Sequence, residues 1–383
     1  MIIDAAVEER LEVAVLAGYR YTTIYTRPVN GKFIVNLSPS IIFFTLYHLL
    51  TQPNKNISFC YLLAIFSVVK PKIVIENTHI TQLVRLAKAC SEIQFFVILN
   101  GYWLNIRDGL YGAEDLYHKN LARTIESFNS RIENYHIYVF GTKDVEIFED
   151  EGLSTTNSGV QYHPIGSMLG DCARSHCDLK NIDVDIVWVS QCSSNTLRGS
   201  SELQRLLKEQ TQVAYTFVCR YVRKNRLSLL IQLRSDLEDE MLERDFYREL
   251  HAGLPISVEF SRNSELFSAY NAVARAALVL SIHSTLGYEA MSWGKRVMFL
   301  HLDFSKVLKI SSSRHVNDTD IWPWILLDAN YDAFEMKVEE LRNLDDGRYR
   351  ERIEPFVDYL IGGESQKLAH LSIRDDINKI LQQ

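Results

Sequence analysis

The sequence predicts an α/β protein of two domains, each built on a parallel sheet. Three observations carry that prediction. Short apolar runs of strand length recur along the chain. Amphipathic helical stretches separate almost every pair of them. A polar, aperiodic stretch near the middle divides the series in two. At 383 residues the chain has room for two or three domains, and 47% hydrophobic with 23% charged residues suits a globular protein that buries a full core.

In the first half, Thr23–Thr26, Lys32–Leu37, Lys72–Ile75, Gln94–Leu99, His136–Phe140 and Gln161–Pro164 read as strands. Helical patterns fall between them at Pro39–Leu50, Phe59–Val69, Ile80–Cys90, Ala113–Ile132 and Asp144–Glu151. Gly170–Asp183 is polar and lacks a period, so it reads as a linker. A second alternation follows: strands Ile186–Ser190, Leu227–Leu233, Ile256–Phe260, Leu278–Ser281 and Arg296–Leu300. Its helices are expected at Ser201–Lys224, Leu237–Ala252, Glu265–Ala276 and Tyr288–Trp293, with tail helices at Tyr331–Leu344, Tyr349–Ile361 and Ile373–Leu381. The expected domains are therefore 1–180 and 181–360, with 361–383 as a terminal helix. Two such domains place a cleft between them, and ligands of open α/β sheets bind outside the carboxyl ends of strands. Functional residues are accordingly sought just after strands.

Charge and cysteine usage exclude some classes. A formal charge of −7 with scattered Lys and Arg argues against a nucleic-acid binder, which would carry a basic face. Six cysteines form no C-x-x-C pair, and the neighbours Cys172 and Cys177 lack a second pair to complete a zinc site. The expectation is a reduced, cytoplasmic protein without a signal peptide. The longest apolar runs, Ile41–Leu50 and Phe59–Val69, are shorter than the roughly 18–20 residues a spanning helix needs, so no segment is expected to cross a membrane, and docking of the protein on one stays open.

The most informative stretch is Val279–Phe299, VLSIHSTLGYEAMSWGKRVMF: strand, polar turn, helix, Gly-Lys stop and a second strand. Ser281, His283, Ser284 and Thr285 bring hydroxyls, an imidazole and backbone N–H groups to a helix N-terminus. That constellation either caps the helix or holds an anion. Gly287 admits close approach of a ligand or a neighbouring segment, and Glu289 is of the type that grips ribose or sugar hydroxyls. Other strand ends of this half offer Ser190 and Gln191; Arg234, Ser235 and Asp236; and Ser261, Arg262, Asn263 and Ser264. Asp236 either caps the following helix or, beside Arg234, serves as an ionised nucleophile. In the first half the strand ends bear Arg27; Glu76 and Asn77 with His79; Asn100 and Gly101; Gly141 to Lys143; and Gly166 with Ser167. Glu76 is the first-half candidate for a general base. The chain has no G-x-G-x-x-G after its first strand, no P-loop and no G-x-S-x-G. Asp183-Val184-Asp185 has the form of a metal-binding D-x-D but precedes a strand, so it reads as a solvated turn. Glu149-Asp150-Glu151 reads as a solvated helix end.

The ordered set of Asn100-Gly101, YVFG at 138–141, PIGS at 164–167, VSQ at 189–191, SRNS at 261–264 and STLGYEA at 284–290 with Gly294-Lys295 resembles a known group. These are the GT-B glycosyltransferases of bacterial surface-carbohydrate biosynthesis, and within them the retaining β-Kdo transferase modules. The likeness spans about Arg27 to Lys295. It implies two Rossmann-like domains with parallel sheets facing an interdomain cleft, and transfer of Kdo from CMP-Kdo to a lipopolysaccharide or capsule acceptor. It also implies no metal or other cofactor, and a last helix that returns to the first domain. Donor binding would fall to Gln191, Arg234, Ser261, Arg262, Asn263, Ser264, Ser284, Thr285, Gly287 and Glu289. Acceptor binding would fall to Arg27, Asn77, Asn100 and Gly101. Asp236 would be the nucleophile of a double displacement, Glu76 a base, and His283 a partner of the leaving phosphate. The implied partners are a nucleotide sugar, a lipid-linked glycan and other polysaccharide-assembly modules, with peripheral association at the inner membrane. Three alternatives share the same features: a GT-B transferase using CMP-sialic acid or a UDP-sugar, a non-hydrolysing UDP-GlcNAc epimerase, and a non-catalytic glycan-assembly scaffold.

Overall fold

The computed structural model describes residues 1–3, 8–24, 38–51, 56–76, 81–99, 124–125, 127–128, 131–150, 155–234, 240–262, 265–302, 324–362 and 367–382. The chain forms two compact units. The first comprises Met1–Asn100, Ala113–Met168 and Gly363–Gln383; the second is built on Leu169–Gly362.

The first unit carries a six-stranded parallel sheet of β1 (Ile2–Ile3), β2 (Thr23–Ile24), β3 (Ile73–Glu76), β4 (Gln94–Ile98), β5 (Tyr135–Val139) and β6 (Gln161–Pro164), in the order β2-β1-β3-β4-β5-β6. The central strands IVIE and QFFVI are buried almost throughout, as expected of a sheet covered on both faces. Asn134 fixes the approach to β5: its buried amide donates to the carbonyls of Ala87, Cys90 and Ile93 at 3.0, 3.0 and 2.7 Å. Those carbonyls lie at the end of the helix Thr81–Ala89 and in the turn into β4, where no helical partner remains for them. The terminal helix Ala369–Gln382 belongs to this unit. Asp376 accepts from the Tyr138 hydroxyl at 3.2 Å and Asn378 from the Tyr19 hydroxyl at 2.6 Å.

The second unit holds another six-stranded parallel sheet: β7 (Val184–Val189), β8 (Ser228–Gln232), β9 (Ser257–Ser261), β10 (Ala276–Ser281), β11 (Arg296–Leu300) and β12 (Ile325–Leu326). Its order, β12-β11-β10-β7-β8-β9, is that of a doubly wound Rossmann sheet. The order reverses between β7 and β10, which pair directly through Ser281 and Val189 at their carboxyl ends. Trp188, Tyr215 and Tyr247 fill the core beside β7.

Several expectations are corrected. The helix Met168–Arg174 occupies the start of the supposed linker; its seven residues are too few to show a period, yet Cys172 and Ala173 are buried. Asp183-Val184-Asp185 is not a free turn. Asp183 pairs with Arg275 at 2.9 Å, and Asp185 lies within β7, accepting from the Ser228 N–H and hydroxyl at 2.8 and 2.7 Å. The helix after β10 starts at Thr285 rather than Tyr288, because Ser284 caps it, so Glu289 sits in its second turn. The helix of Glu265–Ala276 is confined to Ser268–Arg275, and β1 and β12 are two-residue strands that no sequence run marks. The expected strand Lys32–Leu37 and nearly all of the helix Ala113–Ile132 lie outside the described residues.

Candidate functional site

In a doubly wound sheet the crevice lies where the strand order reverses, here beyond the carboxyl ends of β7 and β10. β7 delivers Ser190 and Gln191 to that point, β10 delivers His283 and Ser284, β8 delivers Arg234 and β11 delivers His301.

A buried carboxylate organises the first half of this set. Glu243, from the helix Glu240–Leu250, accepts the Ser190 hydroxyl and the Arg234 backbone N–H, the latter at 3.1 Å to both oxygens. Ser190 in turn accepts from the Tyr247 hydroxyl at 2.8 Å, and Tyr247 accepts from the Trp188 indole N–H at 3.0 Å. A hydrogen-bonded line therefore runs from the core to the ends of β7 and β8 and fixes the loop that carries Gln191. The Arg234 guanidinium reaches the Gln191 carbonyl oxygen at 3.3 Å and its side-chain oxygen at 3.5 Å. Cys192 follows at once, but burial pushes its thiol up to about 11, so it is not a thiolate nucleophile.

His283 supplies the second half. Burial of its ring, with the charges of His301 and Arg234 as lesser causes, holds it down at about 3. It is a neutral imidazole at pH 7, able to donate one N–H to an anion but carrying no proton to give away. Ser281 accepts the Ser284 N–H at 3.1 Å, and Ser284 accepts the Leu286 N–H at 3.3 Å as the helix N-cap. The capping role is thus realised. Thr285 is half-buried at the first position of the same helix. Gly287 answers a packing need: a Cβ there would lie 2.8 Å from the Phe299 ring on β11. Glu289 is buried, and both its oxygens accept the Tyr270 hydroxyl, at 3.1 and 3.0 Å.

The remaining candidates divide. Ser261 ends β9, where its carbonyl accepts the Leu233 N–H at 3.1 Å; Arg262 is exposed and paired with Glu240 at 3.2 Å. Glu76 is fully buried at the end of β3 in the first unit. Arg27, Asn77, Asn100, Gly101, Asp236, Asn263 and Ser264 lie outside the described residues. Among the described residues no three His, Cys, Asp or Glu side chains are assembled to hold a metal. Sequence reasoning missed Glu243, Tyr247 and His301. His301 follows β11 directly and the strand-end rule would have found it, whereas Glu243 and Tyr247 lie inside an ordinary amphipathic helix.

No curated protein matches the chain. Solved structures share its architecture. A UDP-GlcNAc 2-epimerase from Neisseria meningitidis, bound to UDP-GlcNAc, is 11% identical, covers 100% of this chain and 99% of its own, and has a TM-score of 0.53. The S. aureus MnaA–UDP co-structure is 12% identical, with coverages of 100% and 96% and a TM-score of 0.57. The wall teichoic acid polymerase TagF is 12% identical, with coverages of 100% and 89% and a TM-score of 0.51. These likenesses establish the GT-B fold, two α/β domains with parallel sheets. Over residues 127–317, which include every described candidate of the second unit, the chain matches a family described as "putative O-antigen biosynthesis protein".

Proposed function

We propose that the protein is a glycosyltransferase of bacterial surface-glycan assembly, which moves Kdo from CMP-Kdo to a glycan acceptor with retention of configuration. One observation carries the reading: Gln191, Arg234 and His283 come to the switch point of the second sheet, inside the stretch that matches an O-antigen biosynthesis family. There a nucleotide phosphate would accept a hydrogen bond from the neutral His283 ring and lie at the positive N-terminal end of the helix Thr285–Ser292. Ser261 and Glu289 would meet the base and ribose, the latter by exchanging its Tyr270 partner for a hydroxyl. The exposed Arg234 side chain suits the sugar acid's carboxylate, since a guanidinium binds a carboxylate in two-point fashion.

The reaction takes two displacements. The Asp236 carboxylate attacks the anomeric carbon, the bond to the phosphate oxygen breaks, and CMP leaves with the electron pair. The acceptor hydroxyl then gives its proton to a base, for which Glu76 is the candidate. Its oxygen displaces the carboxylate, and two inversions return the original configuration. In this reading no metal is required, because the His283 N–H and the positive end of the helix Thr285–Ser292 offset the leaving group's charge. The acceptor would be lipid-linked, met by Arg27, Asn77, Asn100 and Gly101.

Mass spectrometry after incubation with CMP-Kdo tests the reading directly. A Kdo-sized adduct on the peptide bearing Asp236, absent in Asp236→Ala, is the expected result. A second reading, epimerisation of a UDP-sugar, is favoured by full-length likeness to the Neisseria epimerase. Thermal stabilisation by UDP rather than CMP, with turnover in the absence of acceptor, would replace the first reading by the second.

A further inference from the structure

The helices Pro39–Thr51 and Ile57–Val69 pack on each other in the first unit, and the first of them is apolar all round. A globular core claims one stripe of such a helix. Here only Ile41 is fully buried, whereas Ile42, Phe43, Leu46, Tyr47 and Leu50 stand exposed, Phe43 at 65% and Leu50 at 86%. Residues 43, 46, 47 and 50 follow helical spacing, so they form one outward apolar stripe. Ile57, Val68 and Val69 extend it onto the second helix, being exposed at its two ends.

The charges of the sequence around these helices are of one sign. Between Glu12 and Glu76 the sequence holds Arg20, Arg27, Lys32, Lys55, Lys70 and Lys72 and no acid, although the whole chain has 48 acidic residues and a formal charge of −7. Val69 also lines a cavity of about 520 Å³ whose walls include Leu16, Ile73 and Leu381 together with Arg20 and Lys72. The exposed end of the second helix thus borders a largely apolar groove with two cations on its wall. No described helix is long and apolar enough to cross a membrane.

We infer that this face docks on an anionic lipid bilayer, with the stripe of Phe43, Leu46, Tyr47 and Leu50 entering the headgroup–acyl boundary and the cations Arg20, Lys70 and Lys72 meeting the lipid phosphates. An apolar stripe with an aromatic pair and flanking Lys and Arg is what interfacial helices use. A second copy of the chain fits less well, because a two-fold contact would set this acid-free segment against its own cations. The inference goes beyond the transferase reading and needs neither donor nor turnover.

Flotation of the full chain with vesicles tests it. Binding is expected to phosphatidylcholine vesicles containing roughly 30% phosphatidylglycerol, weakening with salt, and much less to phosphatidylcholine alone. The double variant F43E/L46E, placed at exposed sites, should lower partitioning about tenfold or more without shifting Tm. Phe43→Trp gives an independent reading, with emission shifting to the blue only on anionic vesicles. Failure of the wild type to float, unchanged flotation of the double variant, or a Trp unaffected by vesicles would each overturn the inference. So would sedimentation showing a dimer that the double variant splits, since the face would then be a self-interface.

Discussion

The two sheets share a topology class but spend the ends of their strands differently. In the second unit the described ends of β7, β8, β10 and β11 hold Gln191, Arg234, His283 and His301, side chains that converge and retain groups suited to a ligand. In the first unit the described ends of β5 and β6 are stitched to their own surroundings. Asp144 accepts the Phe140 and Gly141 N–H groups at 2.9 and 3.3 Å, and Gly166 donates to the Phe140 carbonyl at 2.9 Å. Buried polarity is therefore structural at these ends of the first sheet, and in the second it fixes the loop whose Gln191 and Arg234 meet the donor under the proposed function. Substitutions among these second-unit residues should couple stability to nucleotide binding, while those that stitch β5 and β6 should change stability and leave nucleotide binding intact.

The largest effect is expected at Glu243. Replacing it by Ala strands the buried Ser190 hydroxyl and removes the acceptor of the part-buried Arg234 N–H, at a loss of about 3 kcal/mol. Urea denaturation should show that loss, and the affinity for CMP should fall with it because the loop bearing Gln191 is released. Asn134→Ala is the counterpart in the first sheet. It removes the shared donor of three carbonyls, of which that of Cys90 still accepts the Ile93 N–H, and about 2 kcal/mol of stability should vanish with CMP affinity intact. Equal loss of affinity in both variants would erase the distinction between the sheets.

Gly287→Ala comes next. Its new methyl group would meet the Phe299 ring, which is itself buried and stacked on Tyr288 at 4.4 Å, so it yields little. A destabilisation of about 1–2 kcal/mol is expected in thermal or urea unfolding. An increase in stability would mean that the ring moves freely and that the glycine serves something other than packing.

What the sequence disclosed follows from how far each signal reaches. β3, β4, β7, β8, β10 and β11 are runs of consecutive apolar residues bounded by polar turns, a pattern local enough to read without a partner. The strand ends after them could therefore be inspected one by one, which brought Gln191, Arg234 and His283 into view. Glu243 escaped because its meaning depends on Ser190, 53 residues away, and the sequence between them says nothing of their meeting. Asp185 escaped for the same reason, through Ser228. The start of the helix at Thr285 was missed because Ser284 looked like part of a ligand loop, whereas its hydroxyl is engaged as the cap.

The smallest effect compares two histidines, one in each sheet. Burial holds His283 down at about 3 and, aided by the neighbouring His163, holds His136 at about 4. Both pKa values are depressed on folding, so the unfolded chain takes up protons from pH 6.5 downward while the folded chain does not until about 3 or 4. Acid within that window therefore favours unfolding. Each histidine should remove about 1 kcal/mol of stability between pH 6.5 and 5.5, and His→Asn at either position should flatten the denaturation profile by that amount. Ligand binding separates them. A phosphate beside His283 raises its pKa, so as the pH falls toward 5 the wild type should gain CMP affinity relative to His283→Asn, while His136→Asn follows the wild type. Calorimetry in buffers of different ionisation enthalpy would register the proton taken up on binding. A wild type that takes up no more protons than His283→Asn on binding CMP at pH 5 would place the phosphate away from His283 and leave the two histidines alike.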